Sequence, residues 1–310
     1  MLKFIIQKTL YSILLLFIAS VVIFYGLRVA PGDVTDIITN PANRIFMIEN
    51  LEEKLGLNKP LPVQYFIFMG NFLQGDPGLS LINGERIITL LGRAGVYTLK
   101  LGAIAAILTY GIAIPLGVIA AWKRNSVFDY GANLLAVLGM GIPNFLLAIL
   151  LIQQLAVKRH WLPVAGSDSW KHIILPAVVL SAEAIAINLR VVRASMLEEL
   201  NRDYVRTLYA KGLPEGRIIW IHVLRNALPP IIALAGVMLR TLLGYTLIVE
   251  TIFRWPGLGY QLVNAVLKRD YTVAQTLAIL LTAAVILFNL LADIGQQWAD
   301  PRVRQGARSS

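Results

Sequence analysis

The chain of 310 residues has no cysteine, only three histidines, and only 15% charged residues. Without cysteine there can be no disulfide, thiolate metal site or cysteine nucleophile. The histidines, His160, His172 and His222, are well separated, and the expected span topology puts the first two across a membrane from the third. They are not expected to gather around a metal. No G-x-x-x-x-G-K-[ST] phosphate loop, no H-E-x-x-H and no G-x-S-x-G occurs. The chain therefore does not bind ATP by that loop and shows no convergent catalytic set. A soluble domain carries about 25% charged residues, so the low charge is itself a statement about solvent.

What is present is apolar: 57% of residues are hydrophobic and the mean hydropathy is +0.67. Several uninterrupted apolar runs reach roughly 20 residues, enough to cross a hydrocarbon core as helix. Backbone groups in lipid must be satisfied within each segment, so an all-α integral membrane protein is expected. The net charge of +10 reads as anionic lipid and positive-inside topology, not nucleic acid. The first run, residues 9–27, follows Lys3 and Lys8 and is longer than a signal-peptide core. No small-x-small cleavage site follows, and a retained span is expected.

Six spans are predicted, over residues 9–27, 99–122, 130–157, 172–190, 229–249 and 271–294. The long segment between the first two is polar and extracytoplasmic. Within it residues 43–57 have helical periodicity, and residues 62–73 carry Tyr65, Phe66, Phe68 and Phe72. That aromatic piece suits a small packed subdomain or an interfacial layer. Gly139, Gly141 and Pro143 fall inside the third span and predict a kink or local unwinding. Trp161 and Trp170 belong at interfacial depth. Inner segments hold 14 Lys and Arg against six in the two short outer loops, which makes both termini cytoplasmic. The chain divides at this level into residues 1–98, and a five-span core at 99–310 with a cytoplasmic hairpin over about 191–228.

Polar residues inside spans are costly and invite functional readings. Asn144, Glu183, Asn188 and Arg240 are the candidates for a water-lined translocation pathway. The alternative for Glu183 and Arg240 is a structural interhelical ion pair or snorkelling to an interface. Asn289 is read as helix packing.

The most distinctive stretch is DYVRTLYAKGLPEGRIIWIHVLRNALPP, residues 203–230. Residues 193–209 have helical periodicity, with Met196, Leu200, Tyr204 and Leu208 on one face. Gly212 frees the backbone to end that helix. Pro214 suits the start of a second short helix over 215–226, and Pro229 the first turn of the next span. Two helices with defined stops and a short turn make a rigid hairpin that can transmit displacement.

D-Y-V-R-x-x-x-A-K-G-L followed by H-V-L-R-N-A-L-P resembles the EAA loop of membrane subunits of binding-protein-dependent ABC importers, in particular the dipeptide/oligopeptide/nickel permease family. The resemblance covers nearly the whole chain. It includes RVAPGD at residues 28–33, LGLNKPLPVQY at 55–65, GDPGLS at 75–80, GIPNF at 141–145 and LPVAG at 162–166. HIILPAVVL at 172–180, RASMLE at 193–198, VETIFRWPGLG at 249–259, RDYTVAQ at 269–275 and DPRVR at 300–304 continue it. Two departures stand out: Leu208 and Tyr209 occupy positions where the family often has smaller or charged residues, and Arg240 stands where relatives often carry a neutral one.

The resemblance implies a type I ABC importer permease fold in a bacterial or archaeal cytoplasmic membrane. It implies a non-catalytic subunit with no cofactor of its own, ATP and Mg residing on partner ATPases. Residues 204–212 would form the coupling helix seated on a cytoplasmic ATPase. Tyr204, Arg206, Ala210, Lys211 and Gly212 would act there, with His222, Arg225 and Asn226 anchoring the hairpin. The implied partners are a homologous second permease completing the pore, two ATPase subunits, an extracytoplasmic substrate-binding protein and membrane lipid. WLPVAGSDSWKHIILPAVVL and AINLRVVRASML look closer to the nickel and metal-chelate branch, which makes nickel or a chelate the expected cargo and dipeptide or oligopeptide the alternative. Rival classes are an intramembrane enzyme, opposed by the missing catalytic set, and a self-sufficient secondary transporter, which would show inverted repeats.

Overall fold

A computed structural model describes residues 2–29 and 59–299. The readings of a helix at 43–57, of residues 30–33 of RVAPGD, and of DPRVR lie outside the described residues. Among the described residues the longer α-helices are α1 Leu2–Val29, α2 Leu61–Leu73, α3 Ile87–Trp122, α4 Val127–Gly141, α5 Asn144–Leu151, α6 Ile174–Leu200, α7 Asp203–Ala210, α8 Leu224–Ile252, α9 Leu258–Leu267 and α10 Tyr271–Ala299. Among the described residues five helical stretches are long and apolar enough to cross a membrane, and a sixth crossing follows if one bent pair counts as a single span. The chain is a multi-pass membrane protein. It forms two compact units, Met1–Thr98 with Pro256–Leu290, and Leu99–Trp255 with Leu291–Ser310.

In the first unit the aromatic helix α2 is tied down by chemistry its sequence advertised. Tyr65 and Phe68 are buried beside Phe24 of α1 and Ile279 of α10, while Phe66 stays exposed. Tyr65 Oη and Ser20 Oγ share a hydrogen bond of 2.8 Å. The Arg28 guanidinium lies 3.4 Å over the Phe24 ring and donates to Gln64 (3.2 Å) and Gln275 (3.1 Å), linking α1, α2 and α10. A packed subdomain is thus the outcome for this stretch. GDPGLS turns through Gly75 (φ 84°) and Gly78 (φ 92°), left-handed angles that glycine adopts at no steric cost. Ser80 then donates to the buried carboxylate of Asp270, whose Oδ1 also accepts from the Leu81 and Val273 N–H groups.

Helix α3 begins twelve residues before the predicted span. Ile87, Leu90, Ala94, Thr98, Leu101 and Ala105 are all buried at three- and four-residue spacing, so one stripe carries the helix through the polar region. Arg93 sits on its exposed side and pairs with Glu85 at 3.0 Å.

In the second unit the third predicted span is broken more sharply than a kink. α4 and α5, the latter extended by a wide π turn over Ile152–Lys158, meet at 104°. Ile142 is extended (ψ 116°) and Pro143 follows with ψ 139°, which places both outside helical space. A proline at that point offers no N–H and pushes its predecessor out of the helical region. α6 is the most buried span: 61% of its apolar window is inside. Its neighbours approach closely because they present glycine. A Cβ on Gly117 of α3 would fall 2.7 Å from Val192, and one on Gly139 of α4 2.8 Å from Ala186.

Candidate functional site

Two sites are built around α6, one at its cytoplasmic end and one within the membrane. At the cytoplasmic end the predicted continuous helix over 193–209 is two helices. α6 stops at Leu200, capped by Asn201, and Arg202 is extended (ψ 148°) before α7 starts at Asp203. Asn201 turns its amide back onto the Leu197 carbonyl at 2.9 Å, the competition with the backbone that makes asparagine a helix terminator.

α7 is amphipathic over only two turns. Val205 is buried, with Tyr204 and Leu208 beside it, against Val118, Met196, Ile218 and Ile219. Arg206, Thr207, Tyr209 and Ala210 face outward. Gly212 follows with φ 74° and open space around it, so the turn uses its backbone freedom and not its small size. The second arm departs from the predicted short helix. Glu215–Arg217 runs through a π turn, Ile218–Val223, straight into α8, and Pro229 and Pro230 lie inside that helix instead of opening it. Prolines inside membrane helices are tolerated where local adjustments and neighbours take up the freed backbone groups.

The hairpin is fastened at three points. Tyr204 Oη donates to Glu199 at 3.0 Å and also bonds Asn226 on the other arm. Burial, more than the nearby Glu199, raises its phenol pKa above the ordinary value, so it remains a neutral donor. Trp122, at the end of α3, donates its indole N–H to Glu215 at 2.7 Å. Tyr209 bonds the same carboxylate from across the turn. Arg202 bridges Glu198 and Glu199, each at 3.2 Å. Of the residues singled out in the sequence, Tyr204 and Asn226 are brought together. Arg206, Ala210, Lys211 and Gly212 are exposed at the tip, and Arg225 is exposed and His222 partly buried on the second arm. Arg206 and Asp203 make only a loose, exposed pair at 3.7 Å. Sequence reasoning missed Trp122 and Glu215 as fasteners; the signal was a tryptophan at the end of the predicted span over 99–122.

It also missed the strongest polar contact of this unit. Asp129, on α4, accepts two bonds from Arg193 of α6 (2.6 and 2.8 Å), one from the Asn133 side chain (2.8 Å) and one from the Asn125 N–H (3.0 Å). The Asp129 side chain is 4% exposed. A bidentate guanidinium–carboxylate fork with its remaining lone pairs filled is the geometry in which a buried pair is kept.

Within the membrane Glu183 meets Asn144, which donates at 3.4 Å, and Tyr245, which donates at 3.5 Å. A cavity of about 20 Å³ lies beside the carboxylate, walled by Leu180, Ala184 and Ile187 of α6 and by Met238 and Thr241 of α8. The Asn144 Oδ1 is buried without a partner. Asn188 is not part of this group: its amide donates to the Ala184 carbonyl at 2.8 Å, and it does not line the cavity. Arg240 lies on α8, but its side chain is outside the described residues. Among the described residues no group of His, Cys, Asp or Glu could hold a metal ion.

Residues 113–305 match the family model of the binding-protein-dependent transport system inner membrane component, and residues 1–82 match that of the N-terminal part of such membrane components. A probable peptide ABC transporter permease protein, y4tP, of Sinorhizobium fredii is 35% identical over 309 residues, covering 97% of this chain and 99% of the relative. The oligopeptide transport system permease protein AppB of Bacillus subtilis is 37% identical over 314 residues, covering 98% of this chain and 99% of its own. The glutathione transport system permease protein GsiC of Escherichia coli is 37% identical over 304 residues with the same coverage. Among solved structures, an inward facing conformation of the MetNI methionine ABC transporter superposes with TM-score 0.56 at 21% identity. It covers 69% of this chain and 97% of that one, a likeness of fold. The chain therefore belongs to the family of binding-protein-dependent transport system inner membrane components, as a permease subunit of an ABC importer.

Proposed function

We propose that this permease imports peptides, and that its cytoplasmic hairpin is the part that receives work from an ATPase. Membership of the family brings an ATPase and a binding protein as partners in general. In the proposed assembly a second, homologous permease completes the pore. Two ATPases carry ATP and Mg on the cytoplasmic side, and a binding protein delivers cargo outside. Tyr204, Arg206, Ala210, Lys211 and Gly212 make or support the ATPase contact. His222, Arg225 and Asn226 belong to the arm that passes the displacement into α8.

The observation that carries the coupling role is the hairpin's construction. One face of α7 is sunk in the apolar cluster around Val205, the ends are fastened through Tyr204 and Glu215, and the opposite face is bare. A lever must be stiff toward its load and open toward its driver. Because the second arm continues without a break into α8, movement of the tip would be delivered along a membrane helix.

For cargo, the similarity to nickel and chelate permeases gives way to peptide. The relatives compared above are named for peptide, oligopeptide and glutathione transport, and no nickel transporter is among them. The test has two arms. Co-purification of an ATPase with the intact protein and its loss with Gly212→Pro is the expected result; an intact protein that brings down no ATPase sinks the coupling role. Uptake of labelled dipeptide, lost on deletion of this permease while labelled nickel chelate uptake is unchanged, is the expected result for cargo. The reverse pattern restores nickel.

A further inference from the structure

We propose that Glu183, framed by Asn144 and Tyr245, is a mid-membrane seat for a protonated amine of the cargo in transit. This deepens the peptide-import reading and rests on it. A carboxylate within an apolar span is expensive and is ordinarily paired. Among the described residues every acidic partner of a cation is some other group, and none pairs with Glu183. Its two contacts come from neutral donors at 3.4 and 3.5 Å, the outer limit of a hydrogen bond. Asp129, on α4, holds its donors at 2.6 to 3.0 Å. The Glu183 oxygens therefore keep unused accepting capacity. Asn144, already spending its amide on Glu183, leaves its Oδ1 buried and unpartnered. Among the described residues acceptors outnumber donors here.

The adjoining cavity, about 20 Å³, has room for about one water. An ammonium head is of that size, brings three donors and one positive charge, and needs no acceptor satisfied in return. A divalent metal fits poorly, because it demands several ligands in fixed geometry and only one carboxylate is present. The loose contacts also suit transit, since a pathway site must let its occupant leave. Two sources could supply the ammonium, the α-amine of a peptide or a lysine side chain.

The test uses the complete transporter with its partners, reconstituted in proteoliposomes. Radiolabelled trialanine, N-acetyl-trialanine and N-acetyl-Ala-Lys-Ala are compared in the wild type, Glu183→Gln, Glu183→Asp and Thr241→Lys. The binding protein is identical in every arm, so the ratio of free-amine to acetylated uptake, taken relative to wild type, reports the permease alone. Glu183→Gln should lower that ratio on the order of tenfold, the worth of one charge-assisted bond. Glu183→Asp should retain most of it. Thr241→Lys places an ammonium beside the carboxylate and should cause the same selective loss, which keeps the test decisive if Glu183→Gln fails to assemble. A lysine peptide that is also sensitive shows that side-chain amines use the seat; an insensitive one restricts it to the α-amine. An unchanged ratio in both variants, or equal loss of all three peptides, overturns the seat while leaving peptide import standing. A wild-type transporter that takes up none of the three overturns the peptide reading itself.

Discussion

The two sites built on α6 are opposites in construction. At the cytoplasmic end, polar groups are gripped: Asp129 is filled by four donors, Tyr204 bonds both arms, and Glu215 receives Trp122 and Tyr209. Within the membrane, Glu183 has two long contacts, a neighbouring cavity and an orphaned amide oxygen. A region whose polar groups are all satisfied internally is made to keep its shape. A region with accepting capacity to spare, in a solvent that punishes it, is made to receive something. Substitutions should therefore damage folding at the first region and discrimination at the second.

The largest effect is expected at Asp129. Asp129→Ala strands the Arg193 guanidinium between α4 and α6, and removing one partner of a buried pair costs about 3 kcal/mol or more. The measurement is thermal unfolding of the purified complex in detergent. Arg193→Lys should lose less, because lysine keeps the charge but not the two-pronged fork. If Asp129→Ala unfolds like the wild type, the grip at the cytoplasmic end is not structural and the contrast collapses.

Next in size are the glycine contacts of α6. Gly117→Ala would put a methyl 2.7 Å from Val192 Cβ and 3.1 Å from the Leu189 carbonyl. The helices must part, at about 2 kcal/mol for overpacking. Gly212→Ala is the instructive partner. Its Cβ meets nothing, so only the left-handed backbone at φ 74° resists, at about 1 kcal/mol. Its effect should be confined to faster hydrogen exchange over residues 203–213, with the melting temperature of the complex nearly unchanged. Equal losses in both variants would mean the hairpin is part of the global core and not a separately fastened lever.

Much of this was legible in the sequence because it follows from periodicity and from breakers. Apolar length gave the spans, Gly212 and Pro214 gave the turn, and Pro143 gave the interruption of the third span. The aromatic run at Tyr65 and Phe68 announced a packed piece. What escaped depended on partners distant in sequence. Nothing local marks Asp129 for Arg193, or Trp122 for Glu215, since each pair closes across dozens of residues. The early start of α3 was hidden by Arg93, a charged residue on the exposed side of a stripe that the buried positions continue without a gap. Pro229 and Pro230 misled in the other direction: both lie inside a continuous helix, as membrane helices tolerate where neighbours take up the freed backbone groups. Glu183 was visible as an intramembrane acid, but its neighbours Asn144 and Tyr245 come from two other helices and were not paired with it.

The smallest effect on stability should come from Tyr245→Phe, and it is the sharpest test of the contrast. The phenol reaches Glu183 only at 3.5 Å, so deleting it should cost under about 0.5 kcal/mol. If Tyr245 served the fold as Tyr204 does, the loss would approach that of a well-made buried bond, about 1 kcal/mol. If instead it helps to aim the carboxylate at cargo, the melting temperature should hold while the preference for free-amine peptides over acetylated ones declines. The same substitution at Tyr204 should behave in reverse, loosening the hairpin and reducing uptake of both peptides alike. Measuring the two phenylalanine variants side by side asks one question of two tyrosines: whether the hydroxyl answers to the protein's own architecture or to what passes through it.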